Sequence, residues 1–197
     1  MHARRLASFL LGLWLAGGLF MAWVATENFR EVDRLLSGDN PTATLRFKPL
    51  GSDARMLLRY HASEQNRWLF RSWETGQIVY GAAFFMLMLF GSRENKFILG
   101  GVLLLTLLVL VQRLFLSPEL IAVGRMIDFV PQAATSPDRS KFWIIHAAYT
   151  GVEMGKWVLI LILTGQMVFS RKRSGRSRDS RRKVDSVDKP NYRRVDG

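Results

Sequence analysis

Residues 142–169 read FWIIHAAYTGVEMGKWVLILILTGQMVF, an apolar run longer than the roughly 20 residues that cross a bilayer. Three ionisable residues, His146, Glu153 and Lys156, lie within it. An ionisable side chain inside a membrane helix costs about 3 kcal/mol or more, so it usually faces a protein interior and pairs with another polar group. The stretch therefore predicts a membrane helix with one polar face.

Three further apolar segments are long enough to cross a bilayer, and they lie at residues 6–26, 73–90 and 97–116. Together with 142–169 they predict an all-α polytopic membrane protein, in which four transmembrane helices form a bundle within residues 1–169. Only residues 91–96 separate the second segment from the third. We therefore expect these two helices to be antiparallel neighbours.

The first segment, 6–26, could instead be a signal peptide that is cleaved from the mature protein. Its apolar run exceeds the roughly 7–15 residues of a signal core. Bulky Trp23 also occupies a position where cleavage after Ala25 requires a small residue. We therefore expect the segment to stay in the protein as the first helix.

Residues 170–197 form a polybasic tail with eleven Lys/Arg, four Asp and few apolar side chains, which predicts disorder. Basic residues beside a membrane helix are attracted to anionic lipid headgroups by about 1 kcal/mol each, and Arg171, Lys172 and Arg173 come first in the tail. Four crossings place both termini on one side, and the positive-inside rule predicts the cytoplasmic side of the inner (plasma) membrane. Because this tail, with a net charge of +7, holds more than half of the chain's net charge of +12, we expect no nucleic-acid partner.

Two amphipathic segments are predicted outside the membrane, at residues 27–72 and 117–141. In the first, a short surface helix should end at the breaker sequence SGDNP, residues 37–41. A second helix should begin at Ser52 or Asp53 and continue without a break into the crossing at 73–90. The segment 117–141 should form another short interfacial helix, followed by a connection that contains Pro131.

A layer of polar side chains is predicted in the outer half of the bundle. Polar residues of 142–169 recur at i, i+3, i+7 and i+10, which places them on one helix face, and Gly151 and Gly155 beside them permit close helix approach. We expect Glu153 to pair with Arg113 across helices, or with Lys156 within its own helix, and Glu74 to pair with Lys156. The predicted layer consists of Glu74, Gln77, Gln112, Arg113, His146, Tyr149, Glu153 and Lys156.

Candidate metal or haem ligands are His146 and His61, which both fall in the outer half of the predicted bundle. Each is single on its helix and has no His or Glu partner four residues away, a pattern more typical of a packing residue. The chain has no cysteine, which excludes thiolate ligands. We therefore expect no cofactor, with haem or a metal ion as the alternative. Catalytic triads, phosphate-binding glycine loops and paired catalytic carboxylates are not evident, so the residues favour a protein that is not an enzyme.

The layout resembles a known group of proteins. Arg5 followed by FLLGLWLAGGLF at 9–20, two closely linked helices and a last helix opening with His146 resemble an uncharacterised four-helix bacterial membrane family related to eukaryotic TMEM-type proteins. More distantly, that family is similar to the copper-resistance D membrane proteins. The likeness covers roughly residues 4–169 and implies metal handling or small-solute movement. This chain departs from a copper pattern because it lacks a Met or His cluster.

Three functions remain open from the sequence. The first is a structural or interaction component of the membrane, in which the polar layer only fixes helix packing. The second is a transport component for a small solute, a proton or a metal ion, and the third is a haem- or metal-binding membrane protein. Anionic lipid at the tail is the expected partner, and a second copy of the chain or another membrane protein is a further possibility.

Overall fold

The computed structural model describes residues 2–38, 40–91, 96–131 and 136–169. These residues are helical apart from short connections and contain no strand, which confirms the all-α prediction. The expected turn at 92–95 and the polybasic tail with Arg171, Lys172 and Arg173 lie outside the described residues. The helices are α1 (His2–Leu36), α2 (Pro41–Phe47), α3 (Ser52–Gly91), α4 (Lys96–Val111), α5 (Ser117–Ile127) and α6 (Pro137–Phe169), with a 3₁₀ turn at Lys48–Leu50 and a π turn at Gln112–Leu116.

Three helical stretches are long and apolar enough to cross a membrane: Arg5–Leu36, Lys96–Ile127 and Pro137–Phe169. Large apolar side chains on them are exposed, such as Phe9, Ile144 and Phe169, which indicates a membrane protein with lipid-facing surfaces. The predicted crossing at 73–90, within α3, is not among the three. Glu74 and Gln77 lie near its start and lower the mean hydropathy of that half of the helix.

Two helices extend beyond the membrane crossings predicted within them. Helix α1 continues past residue 26 to Leu36, because no Gly or Pro interrupts residues 27–36. Arg34 also forms ion pairs with Glu27 and Glu31 along this part of the helix. The helix that contains the predicted crossing 97–116 also continues, since the π turn joins α4 to α5 without a break. The unbroken helix from Ser52 into the apolar half of α3 is confirmed.

The apolar core lies where α1, α3, α4 and α6 meet. Leu11, Val102, Leu105 and Leu163 are completely buried there. Because lipid is as apolar as these side chains, the core is stabilised mainly by close packing rather than by removal of surface from water. Its members are Ala7, Leu11, Trp14, Phe84, Met88, Ile98, Val102, Leu105, Val109, Ile160, Leu163 and Met167.

Tryptophan side chains fill the space beside glycines of neighbouring helices. The indole of Trp73 lies against Gly17, and the indole of Trp14 lies against Gly81. Trp157 lies on Gly18, with its Nε1 2.7 Å from the position that a β-carbon there would take. By contrast, a β-carbon built at Gly151 or Gly155 would have no atom of another helix within 4 Å. The close helix approach that these two glycines were predicted to permit therefore does not occur between the described helices.

Polar contacts join the helices beyond the apolar core. Asn28 of α1 donates to Asn66 of α3 over 2.6 Å, and Asn66 in turn donates to the backbone carbonyl of Ala25 over 3.0 Å. Arg55 pairs with Asp33 at 2.5 Å. Helix α1 therefore packs against α3 well past the end of the expected membrane segment at residue 26.

Candidate functional site

The centre of the candidate site is Lys156 on α6, whose side chain is 1% exposed. Its Nζ donates to Glu153 Oε1 at 2.7 Å, to Gln112 Oε1 at 2.7 Å and to Gln77 Oε1 at 3.0 Å. An ammonium group has three protons to donate. The ion pair and the two amide acceptors therefore satisfy all of its donors, and they connect α6 to α3 and to the π turn.

Both glutamine amides have their orientation fixed by their partners. The Oε1 atom of Gln77 accepts from Lys156 and also from the indole N–H of Trp14, at 2.9 Å. The Nε2 atom of Gln112 donates to Glu153 Oε1 at 3.2 Å and to the backbone carbonyl of Tyr149 at 3.4 Å. Exchanging O and N in either amide would place donors against donors. Because Trp14 lies on α1, its hydrogen bond to Gln77 also joins α1 to α3.

The π turn places Gln112 and Ser117 toward the same interior. Its wider ring is closed by the backbone N–H of Ser117, which donates to the carbonyl of Gln112. Both side chains are buried, at 0% and 5% exposure. Single π turns inside α-helices occur frequently at functional sites, where they rotate side chains relative to a regular helix.

Glu74 lies beside this group on α3 and is completely buried. Its Oε1 accepts from the hydroxyl of Tyr149 at 2.9 Å and from the hydroxyl of Ser117. The cationic side chains of Arg113 and Lys156 lie close to it. Two atoms of the site, Glu74 Oε2 and Gln77 Nε2, have no hydrogen-bond partner among the described residues.

Most of the predicted layer is brought together, and we call the observed group the polar cluster. Two members were not predicted from the sequence: Ser117, which begins the predicted segment 117–141, and Trp14, which lies within the predicted crossing 6–26. The only signal for Trp14 was its indole N–H, which normally requires a partner when buried. The polar cluster consists of Trp14, Glu74, Gln77, Gln112, Ser117, Tyr149, Glu153 and Lys156.

Two predicted members lie elsewhere. His146 is exposed, with its ring stacked on Phe142 at 5.7 Å between centroids and edge-on to Trp143 at 5.5 Å, because its position on α6 faces away from the neighbouring helices. Arg113 is half-buried and lines an open cleft beside Arg71.

The expected ion pairs are also rearranged. The carboxylate of Glu153 pairs with Lys156 at 2.7 Å, as the intrahelical alternative predicted, rather than with Arg113. Glu74 bonds to two hydroxyls instead of forming a direct ion pair with Lys156. The amides of Gln77 and Gln112 occupy the positions next to the ammonium that a second carboxylate would need.

The candidate metal ligands do not converge. His61 is exposed on α3 and His146 is exposed on α6. Within the described ranges, no three His, Cys, Asp or Glu residues lie in an arrangement that could hold a metal ion. The polar cluster consists of groups that donate and accept hydrogen bonds.

No family model, curated protein or solved structure matches the chain. The resemblance to the four-helix bacterial family and to copper-resistance D proteins therefore stays a prediction.

Proposed function

We propose that this protein is a structural or interaction component of the membrane, and that the polar cluster holds its helices in one arrangement. The proposal rests on the observation that all three N–H donors of the Lys156 ammonium group bond to the protein's own Glu153, Gln112 and Gln77. A cation with all its donors satisfied by its own chain needs no bound solute to offset its burial. The contacts instead connect α1, α3, α6 and the π turn.

We further propose that α3 crosses the membrane as the fourth helix of a bundle, with both chain termini in the cytoplasm. Phe84 and Met88 of α3 belong to the apolar core, while Val79 and Phe90 are exposed on its other faces. A helix packed in this way beside three membrane helices shares their apolar surroundings.

Single-cysteine labelling tests this topology, and the absence of native cysteine makes every label specific. Ser52→Cys lies at the start of α3 and Lys96→Cys at the start of α4, and both native side chains are exposed. We expect a membrane-impermeant maleimide to label Ser52→Cys in intact cells and Lys96→Cys only after permeabilisation. Labelling of both positions from the same side would exclude a crossing by α3.

A second candidate, a component that moves protons or small solutes, is favoured by one observation. Glu74 Oε2 and Gln77 Nε2 are buried without a hydrogen-bond partner among the described residues, although burying an unpaired polar atom costs about 1–3 kcal/mol. A carboxylate with one unused oxygen can accept a proton, and an amide with an unused N–H can bind an anionic or carbonyl group.

Proton flux distinguishes the two candidates. The purified protein is reconstituted into liposomes that contain a pH-sensitive dye, and the decay of an imposed pH gradient is measured. The structural proposal predicts the same decay for the wild type, Glu74→Gln and protein-free liposomes. Faster decay in the wild type that is lost in Glu74→Gln, but retained in the exposed-carboxylate control Glu119→Gln, would favour the second candidate.

A further inference from the structure

An open cleft of about 530 Å³ lies beside the polar cluster, between the middle of α3 on one side and the π turn and α5 on the other. A volume of this size is within the range of small-ligand sites. Its most prominent feature is positive charge, because four arginines line it and only one carboxylate does. The lining residues are Glu64, Arg67, Trp68, Arg71, Ser72, Thr75, Arg113, Ile121 and Arg125.

Two of the four arginines, Arg67 and Arg125, form ion pairs with carboxylates of the protein. Arg67 forms a two-bond pair with Asp128, at 2.7 and 2.8 Å, and also donates to Glu64 at 2.6 Å. Arg125 lies 3.4 Å from the same Glu64 carboxylate. The other two arginines have no carboxylate at ion-pair distance among the described residues.

The remaining charges belong to Arg71 and Arg113. Within the described residues, no carboxylate lies at ion-pair distance from either guanidinium. Arg71 is exposed and Arg113 is half-buried. Arg71 lies on α3 and Arg113 on the π turn, so an anion bound between these two elements would neutralise both charges.

The surroundings suit a phosphate group at a membrane interface. Ser72 lines the cleft, and a serine hydroxyl can donate to a phosphate oxygen. The hydroxyl of Thr75, which also lines the cleft, donates to the backbone carbonyl of Arg71 at 2.9 Å. Trp68 lines the same cleft and is 67% exposed, as is typical of tryptophans at the headgroup level. Guanidinium groups bind phosphate through paired N–H donors.

We propose that this cleft binds a phosphate group through Arg71 and Arg113. The phosphate could be the headgroup of an anionic phospholipid or a free phosphate ion, since both present the same oxygens. The cleft adjoins the polar cluster but shares no residue with it, and the proposal does not depend on the function proposed for that cluster.

Native mass spectrometry tests the lipid source. The full-length protein is incorporated into nanodiscs of phosphatidylcholine and phosphatidylglycerol, released, and analysed for retained phosphatidylglycerol. We expect the wild type to retain the anionic lipid, and we expect Arg71→Gln/Arg113→Gln to retain about ten-fold less, because paired phosphate contacts are lost. Arg30→Gln/Arg46→Gln removes two exposed positive charges outside the cleft and should retain as much as the wild type.

Binding of inorganic phosphate tests whether the cleft takes a free phosphate ion. Its effect on the melting temperature is measured in a zwitterionic detergent, and site binding predicts a rise in the wild type and the control that is absent in Arg71→Gln/Arg113→Gln. Arg71→Gln/Arg125→Gln is tested in parallel, because both side chains are exposed and their loss leaves Arg113 beside Glu74 unchanged. The site is supported if the two cleft variants retain less phosphatidylglycerol or respond less to phosphate, while Arg30→Gln/Arg46→Gln behaves like the wild type. Equal retention of lipid and equal response to phosphate in all variants would overturn it.

Discussion

At the scale of single residues, the protein holds a buried ammonium group inside a membrane helix by surrounding it with acceptors from its own chain. Glu153, one turn before Lys156, neutralises its charge, while the amide oxygens of Gln77 and Gln112 accept hydrogen bonds from its other two N–H groups. Breaking a buried ion pair by removing one partner typically costs about 3–5 kcal/mol, because it leaves the other charge unpaired. Burial of this lysine thus depends on contacts from two other elements.

The three tyrosine hydroxyls of the described helices provide a graded test of the polar cluster. Tyr149→Phe removes the hydroxyl that donates to Glu74 and should lower the free energy of unfolding by about 1–3 kcal/mol, because a completely buried carboxyl group loses one of its two hydroxyl partners. Tyr80→Phe removes a neutral hydrogen bond to the carbonyl of Leu10 and should cost about 1 kcal/mol.

Tyr60→Phe is the matched control, because Tyr60 is 37% exposed and its contact is a ring contact with Phe129. Unfolding in detergent, followed by circular dichroism, measures all three variants. A cost for Tyr149→Phe no larger than that for Tyr60→Phe would contradict the role given to the Glu74 hydrogen bond.

Glu64, outside the proposed crossing at 73–90, should make stability depend on acid pH. The hydrogen bond from Arg67 lowers the pKa of the Glu64 carboxyl below its ordinary value, and Arg125 contributes in the same direction. Its contribution to stability is therefore present above the unfolded-state pKa of about 4.3 and is lost as the pH falls through the lower folded-state pKa.

Melting temperatures measured between neutral pH and about pH 3 should consequently fall less steeply in Glu64→Gln than in the wild type, since the glutamine does not titrate. Identical pH profiles for the two proteins would show that the Glu64–Arg67 contact is not maintained in solution.

At the scale of elements, the close packing of α1 depends on glycines that receive tryptophan side chains. Gly17→Ala would place a methyl group against Trp73, and Gly18→Ala would place one against Trp157. Overpacking a tight contact typically costs about 1–3 kcal/mol, so each variant should unfold more easily than the wild type.

Gly12→Ala is the control within the same helix, since its β-carbon would meet no atom within 4 Å. Alanine favours helix over glycine by about 1 kcal/mol, so this variant should be unchanged or more stable. Equal effects of Gly12→Ala and Gly17→Ala on unfolding would contradict the Gly17–Trp73 contact.

The joint between α4 and α5 shows why a break was predicted where the structure has none. Pro118 has no N–H to donate to a carbonyl one turn earlier, and such a residue usually ends or kinks a helix. Here the π turn directly precedes it, and Pro118 occupies the first turn of α5, where a missing N–H is tolerated. The wider turn also brings Gln112 to face Lys156, a rotation that apolar periodicity does not reveal.

At the scale of the whole molecule, the sequence was sufficient for the membrane class, the helical fold and most members of the polar cluster. These depend on local signals: apolar length, and helical spacing such as that of Tyr149, Glu153 and Lys156. The choice of partners depends on how each helix is rotated against its neighbours, which no single-helix pattern specifies. For that reason Arg113 was expected to pair with Glu153 but lines the cleft, and Trp14 was not expected to bond to Gln77.

The central claim is that the polar cluster connects helices, and a double-mutant cycle between Lys156 on α6 and Gln112 on the π turn tests it most directly. The two side chains are joined at 2.7 Å. The free energy of unfolding is measured in detergent for Lys156→Met, Gln112→Leu and the double variant. The account predicts a double variant that is less destabilised than the sum of the single variants, with a coupling of about 1–3 kcal/mol. Single effects that add to within about 0.5 kcal/mol would contradict it, because additivity marks residues that do not interact.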